Sequence, residues 1–346
     1  MPAHSLLEAA LGFAPVLLFL TALLYLDSFK LVSAAHVFGV MLFGVLAAAA
    51  TYPISGLLMD AFHVDFHDYS RFMAPALEEG LKAAMIIWLF ARNRIGFMID
   101  AAILGAAVGA GFALAENIYY AYVFSQANLG TWIVRGLGTA VMHSGTTAVF
   151  AIATEALRER REGLGLVAAI PGFLFAISLH AIFNQFLDFP IASTAGVLVV
   201  LPLMLMMAID KSEHEVHGWL IHDYESHEHL LADIQSGRFL HSEAGAFILS
   251  LAARFSKKTV ADIFAYLKLH TELVICAEKL LLAREQGEPA HACRADAEQF
   301  ARLHALERRI GRTALLAVWP HLKFSRQELY ELHALEHEAQ HARAAG

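Results

Sequence analysis

Charged side chains inside a stretch otherwise apolar enough to enter a bilayer constrain this chain more than any other feature. The stretch is Ala74 to Arg92, APALEEGLKAAMIIWLFAR, and it carries Glu78, Glu79 and Lys82. A charge at the centre of a membrane helix costs on the order of 2.5–3.5 kcal/mol by insertion measurements, so such residues need partners or a task. Glu78 and Lys82 stand four apart and share a helix face, with Glu79 beside it. Three further apolar stretches also carry polar residues: Glu116 and Asn117, then His143, then His180 and Asn184. One buried polar group is commonly structural. Four helices that each contribute one point to a shared site.

The composition fits a membrane setting. Hydrophobic residues make up 58% of the 346 positions, too many for an ordinary soluble protein. The long apolar runs end near Asp210, which divides the chain into a transmembrane core, residues 1–210, and a soluble part, residues 211–346. The expected fold class is all-α, a polytopic helical membrane bundle followed by a C-terminal helical domain. Seven spans can be drawn, roughly 7–27, 31–58, 74–91, 97–124, 131–156, 165–188 and 191–209. The N-terminus lacks the basic region of a cleaved signal, so the first apolar segment is read as a retained span. Residues 60–73, DAFHVDFHDYSRFM, interleave aromatics with acids and histidines and suit the membrane interface. Lys30, Arg92, Arg94, Arg158, Arg160, Arg161 and Lys211 fall in one set of loops, which places the N-terminus outside and the C-terminal part in the cytoplasm, with Arg135 a minor exception. The net charge of −8 lies mostly outside the spans and argues against nucleic-acid binding. Cys276 and Cys293 have neither CxxC nor finger spacing and read as free thiols of a reducing compartment.

Four motifs in order carry a resemblance. EEGLK at 78–82 fits EExxK, FALAE at 112–116 fits FxxxE, His143 fits a lone-histidine motif, and HAIFN at 180–184 fits HxxxD/N. On successive apolar segments this resembles the PrsW family of bacterial intramembrane proteases, similar in core design to the CAAX prenyl proteases and the bacteriocin-processing membrane proteins. The resemblance covers roughly residues 30–210, and Asn184 stands where many members have Asp. It implies a multi-pass protein of the bacterial inner membrane that cleaves membrane-anchored proteins, single-span anti-sigma factors among them. It also implies that Glu78 is the general base with Glu79 in support, and that His180 and Asn184 act as an oxyanion pair. Glu116 sits where relatives place a second water-orienting residue.

The chemistry can also be read from the residues. Peptide hydrolysis needs an activated water, a base, an oxyanion stabiliser and an acid for the leaving amine. Glu78 is the candidate base, and Lys82 one turn away is placed to hold its ionised form. His180 and Asn184 are four apart, so both could face one carbonyl. A second carboxylate, Glu116, means that one of the pair is protonated or that a metal is needed. Two readings therefore stay open: a glutamate-type hydrolase with no cofactor, or a zinc enzyme with Glu and His ligands. Asp100 and Glu155 read as interfacial. No GxSG serine site or GxGD aspartyl site occurs in any span, and the HExxH at residues 337–341 lies too near the end to recruit further ligands. The rival from another class is a proton-coupled transporter, which also needs intramembrane Glu, Lys and His.

Residues 211–346 alternate apolar and charged positions at helical spacing. Breaks are expected at Gly287-Glu288-Pro289 and at Trp319-Pro320. The stretch EHEVHGWLIHDYESHEHLL, with histidines at 214, 217, 222, 227 and 229, reads first as a solvated amphipathic helix, and pH sensing or metal binding is the lesser reading.

Overall fold

The computed structural model describes residues 3–26, 32–123, 128–185, 189–286, 295, 297–322 and 326–345. Every regular element among them is helical. The chain divides into two units, Met1–Glu213 and His214–Gly346, with the division inside a long helix.

The first unit contains α1 (Ala3–Leu26), α2 (Ala34–Phe62), the short α3 (Phe66–Asp68), α4 (Ala74–Ala91), α5 (Met98–Val123), α6 (Leu129–Ile133), α7 (Ala140–Arg160), α8 (Ala169–Gln185) and the start of α9 (Pro190–Ser236). By length and composition, four segments can cross a membrane: Ala34–Phe62, Met98–Val123, Gly165–Gln185 and Pro190–Asp210. The other three expected spans are also helical: in α4 Glu78, Glu79 and Lys82 interrupt the apolar run, in α7 polar and charged side chains do, and in α1 the apolar part among the described residues is Ala10–Tyr25. The expected fifth span is not one α-helix, since α6 passes through a π-helical segment, Val134–Thr139, before α7 begins.

Helix α5 is the centre of this unit, with 89% of its apolar window buried. Its sequence IDAAILGAAVGAGFALA presents almost no side chain on several faces, which lets neighbouring backbones come close. A Cβ at Gly111 would lie 1.9 Å from the Met41 carbonyl oxygen of α2, and one at Gly109 would lie 2.2 Å from that of His143 on α7. Small residues here determine where the site's histidine backbone runs.

The entry to α4 is shaped by one proline. A π-helical turn, Tyr69–Met73, leads directly into α4, where Pro75 is the second residue. Pro75 has no N–H, so the carbonyls of Ser70 and Arg71, five and four positions back, lose their helical donor. The side-chain amide of Asn184 donates to Ser70 O at 2.8 Å and that of Gln185 to Arg71 O at 3.5 Å. The end of α8 is thereby fastened to the start of α4. Tyr69 Oη donates to Ser55 Oγ at 2.7 Å and fixes the same turn to α2. Residues 60–73 are thus the end of α2, a turn and the lead-in to α4, with Phe62, Phe66 and Phe72 exposed.

The second unit comprises the remainder of α9, then α10 (Glu243–Ser250), α11 (Lys257–Glu285), α12 (Ala297–Ile310), α13 (Arg312–Leu322) and α14 (Arg326–Ala345). Its core gathers around Ile248, Ile263, Val274, Leu303, Val318 and Leu335. The expected break at Gly287-Glu288-Pro289 lies outside the described residues, and α13 continues through Pro320 to Leu322. The free-thiol expectation for Cys276 does not hold, because Cys276 is buried and disulfide-bonded; Cys293 lies outside the described residues. Nothing in the spacing of two cysteines signals whether a fold will bring them together. The side chains of Lys30, Lys211, His214, His217, His337, Glu338 and His341 also lie outside the described residues.

Candidate active site

Helices α4, α5, α7 and α8 bring the polar side chains together in one cluster. One turn after Pro75, α4 presents Glu78 and Glu79; one turn before Asn184, α8 presents His180. The Asn184–Ser70 bond therefore sets the distance between them.

Glu79 is the best-anchored member. Its Oε1 accepts from Lys82 Nζ at 2.6 Å, from His180 Nδ1 at 2.8 Å and from Thr146 Oγ1 at 3.1 Å, and it is 2% exposed. Lys82 is fully buried and lies over the Phe112 ring, 5.0 Å from its centroid. The expectation that Lys82 holds Glu78 is corrected: its short contact is with Glu79, because the i,i+3 geometry directs the ammonium there.

Each histidine is tied through one ring nitrogen to a carboxylate. His143 Nε2 meets Glu116 Oε2 at 3.1 Å, and its Nδ1 lies 3.3 Å from Lys82 Nζ. An ammonium only donates, so Nδ1 accepts and the ring proton sits on Nε2, facing Glu116. His180 gives its Nδ1 proton to Glu79. The other nitrogens, His143 Nδ1 and His180 Nε2, face Glu78 Oε2 at 3.9 and 3.8 Å. The two rings stand edge to face, with centroids 4.9 Å apart. No hydrogen bond to Glu78 occurs among the described residues, and its side chain is 16% exposed, so this carboxylate has room for water.

Glu116 has a second partner that sequence reasoning passed over. Arg135, carried on the π-helical segment before α7, places Nη2 3.1 Å from Glu116 Oε2 and donates from Nε to Asn117 Oδ1 at 2.8 Å. Asn117 in turn donates to Gly12 O at 2.7 Å, and the Arg135 guanidinium lies 3.8 Å from the Tyr120 ring centroid. Arg135 therefore supplies the counter-charge for Glu116 and holds Asn117, the residue that connects α5 to α1. Its signal was the one cation that broke the loop-charge pattern. Thr146 was also missed; its signal was a hydroxyl three residues after His143 on the same helix face.

Of the seven candidate residues, Glu78, Glu79, Lys82, Glu116, His143 and His180 meet in this cluster, whereas Asn184 bonds the Ser70 backbone. Asp100 and Glu155 are buried rather than interfacial: Asp100 Oδ2 accepts the Phe97 N–H at 3.1 Å, and Glu155 pairs with Arg158 at 3.5 Å. A cavity of about 300 Å³ opens beside the cluster between α7, α8 and the start of α9. It is lined by Met142, Thr146, Leu179, Phe183, Val200 and Leu201, among others, and is almost wholly apolar. Thr146 belongs both to this cavity and to the Glu79 anchor.

One further test concerns a metal. Glu78, His143 and His180 each offer a ligand atom, and all three lie within 4.8 Å of one another. Two imidazoles and a carboxylate are a zinc-type donor set, and outer nitrogens bonded to carboxylates are the usual support of metal-bound histidines. The residues fit such an ion, with Lys82 sharing His143 Nδ1.

Fold and site together define a helical membrane protein built around a carboxylate–imidazole centre of hydrolytic type. The PrsW family intramembrane metalloproteases match residues 27–208, more than half of the chain, and the chain belongs to that family. No curated relative and no solved structure matches it.

Proposed function

We propose that this intramembrane protease hydrolyses peptide bonds of membrane-anchored proteins at the Glu78–His143–His180 centre. The observation that carries this reading is the convergence of Glu78 Oε2, His143 Nδ1 and His180 Nε2 within 4.8 Å of one another inside a membrane bundle. Water at this point touches Glu78, which takes its proton as the oxygen attacks the scissile carbonyl, then gives that proton to the leaving amine. His180, held through Nδ1 by Glu79, enters the step already protonated on Nε2 as well, donates that N–H to the oxyanion and keeps the proton throughout, with Glu79 balancing the charge of the imidazolium. Glu116 and Arg135 hold His143, and Lys82 neutralises Glu79. The cavity beside Thr146 suits an apolar side chain of a membrane-inserted substrate.

A second reading is favoured by the carboxylate behind each histidine. Glu78, His143 Nδ1 and His180 Nε2 would hold a divalent ion such as zinc, which when bound supplies a polarised water and a Lewis acid. The lone pair of His143 Nδ1 facing the Lys82 ammonium at 3.3 Å favours the first.

The loop charges support a multi-pass protein of the bacterial inner membrane, with its N-terminus outside and its C-terminal unit in the cytoplasm. Single-span signalling proteins such as anti-sigma factors are the substrate class in keeping with the family resemblance. The test is cleavage of a single-span substrate by purified protein. Glu78→Gln and His180→Ala are expected to abolish it, and persistence in both would overturn the reading. Chelation that stops cleavage, with recovery on added zinc, selects the second reading over the first.

A further inference from the structure

The second unit buries three carboxylates, Glu278, Glu328 and Glu331, near His227, with the half-buried Asp223 beside them. Asp223 and His227 are four apart on α9, Glu278 is on α11, and Glu328 and Glu331 are three apart on α14. Glu278 is fully buried, Glu331 is 1% exposed and Glu328 is 5% exposed. Neither oxygen of Glu331 has a hydrogen-bond partner, nor does Glu278 Oε2. The charges that act on Glu331 are those of Glu278, Glu328 and Asp223, so its carboxylate faces into the cluster. Burial and these three neighbours push the Glu331 carboxyl well above the usual carboxylate range. A buried, unpaired carboxylate among like charges is costly, and only a proton or a cation relieves it.

Histidine geometry distinguishes the two. His227 Nδ1 meets Glu278 Oε1 at 2.7 Å, where the carboxylate oxygen accepts the ring N–H, and Nε2 points toward Glu328. Nε2 lies 3.8 Å from Glu328 Oε2, a span that two donors about 2.1 Å from one ion can bridge. A carboxylate that fixes one ring nitrogen while the other meets ligands is the support found behind metal-bound imidazoles. Facing side chains on neighbouring helices are also how bundle cores build such centres. We propose that His227, Glu328 and Glu331 form a binding site for a divalent first-row transition ion, with Glu278 orienting His227 and Asp223 adding negative charge.

Two carboxylates and one imidazole suit Mn²⁺, Fe²⁺ or Zn²⁺ rather than a soft ion. The donor atoms of His227, Glu328 and Glu331 do not all lie within the 4.8 Å that gathers those of Glu78, His143 and His180, so closing on an ion requires a change of side-chain rotamer. The site is separate in sequence and in role from the proteolytic centre, and its existence does not depend on that reading.

The test uses the full chain in detergent, stripped with chelator and titrated with Mn²⁺, with bound ion read by electron paramagnetic resonance and by thermal shift. Wild type and His180→Ala are expected to bind and to melt higher with Mn²⁺. Glu331→Gln, Glu328→Gln and His227→Gln are expected to weaken that binding by about 10- to 100-fold. Glu331→Gln removes a buried charge and keeps the shape, so it folds and keeps the comparison valid. Mn²⁺ and Zn²⁺ uptake unaffected by these three substitutions, or lost only in His180→Ala, overturns the site. So does a Glu331→Gln protein that is stabilised with no loss of ion binding, which assigns the cluster to protons.

Discussion

Thr146 and Lys82 both bond Glu79 Oε1, and Lys82 also lies 3.3 Å from His143 Nδ1, so their effects separate. Thr146→Val keeps the volume and removes one donor to Glu79 Oε1, leaving Lys82 and His180 in place. His180 then loses part of its anchor, and cleavage is expected to fall by about 10- to 100-fold with little change in melting temperature. Lys82→Met instead leaves Glu79 buried without its cation. That change is expected to destabilise the chain by about 3–5 kcal/mol, measured by thermal unfolding in detergent. A pH dependence belongs to His304, where burial opposes the charged ring but hydrogen bonds to Glu307 at 3.1 Å and Glu336 at 3.0 Å outweigh it and raise its pKa. A raised histidine pKa means stability present below the unfolded value of about 6.5 and lost as pH rises through the folded value. The ring is 41% exposed, so the effect is discounted to about 0.5 kcal/mol. Melting curves should show His304→Gln less stable than wild type at pH 5.5 and equal to it well above the folded value.

At the scale of elements, the fastening of α8 to α4 gives a coupled prediction. Asn184→Ala removes the donor to Ser70 O, and Pro75→Ala restores a backbone N–H able to take its place. In a double-mutant cycle on stability, Asn184→Ala is therefore expected to cost less in the Pro75→Ala background, with a coupling of about 0.5–2 kcal/mol. Gly109→Ala tests the other positioning contact. Its Cβ would meet the His143 carbonyl oxygen at 2.2 Å, so α7 must move off α5 and take His143 with it. The expected cost is about 1–3 kcal/mol, with cleavage lost more steeply than stability. These elements also show how far sequence reading reached. Polar residues in successive apolar stretches, with the family resemblance, led to the expectation that Glu78, Glu79, His143 and His180 share a site; helical periodicity itself fixes only which residues share a face of one helix. It could not pair Lys82 with Glu79 rather than Glu78, because both lie within reach on one turn. It could not foresee that Asn184 bonds a backbone carbonyl, since that acceptor becomes free only through a π-turn and a proline on another helix. The burial of Glu278 and Glu331 was equally hidden, because alternating charges on amphipathic helices usually face water.

For the whole molecule, the question is whether the two units need each other for chemistry. Every side chain of the proteolytic centre lies in the unit Met1–Glu213, and that unit holds its own core around α5. The loop cations on which the proposed topology rests, Arg92, Arg94, Arg158, Arg160 and Arg161, lie within it as well. Protease protection should then find the tail cleaved in inverted vesicles and shielded in right-side-out ones, as the proposed topology requires. A chain ending at Glu213 is accordingly expected to insert, to retain helical circular dichroism and to cleave a single-span substrate with the same dependence on Glu78. It should also lose the Mn²⁺ uptake assigned to His227, Glu328 and Glu331, since those residues are gone. Cleavage lost from a truncated chain that stays helical and monodisperse would instead show that the second unit delivers substrate or holds the bundle in its active arrangement. In that case, restoring the tail in trans is the measurement that separates the two roles, because delivery recovers with added tail and internal bracing does not.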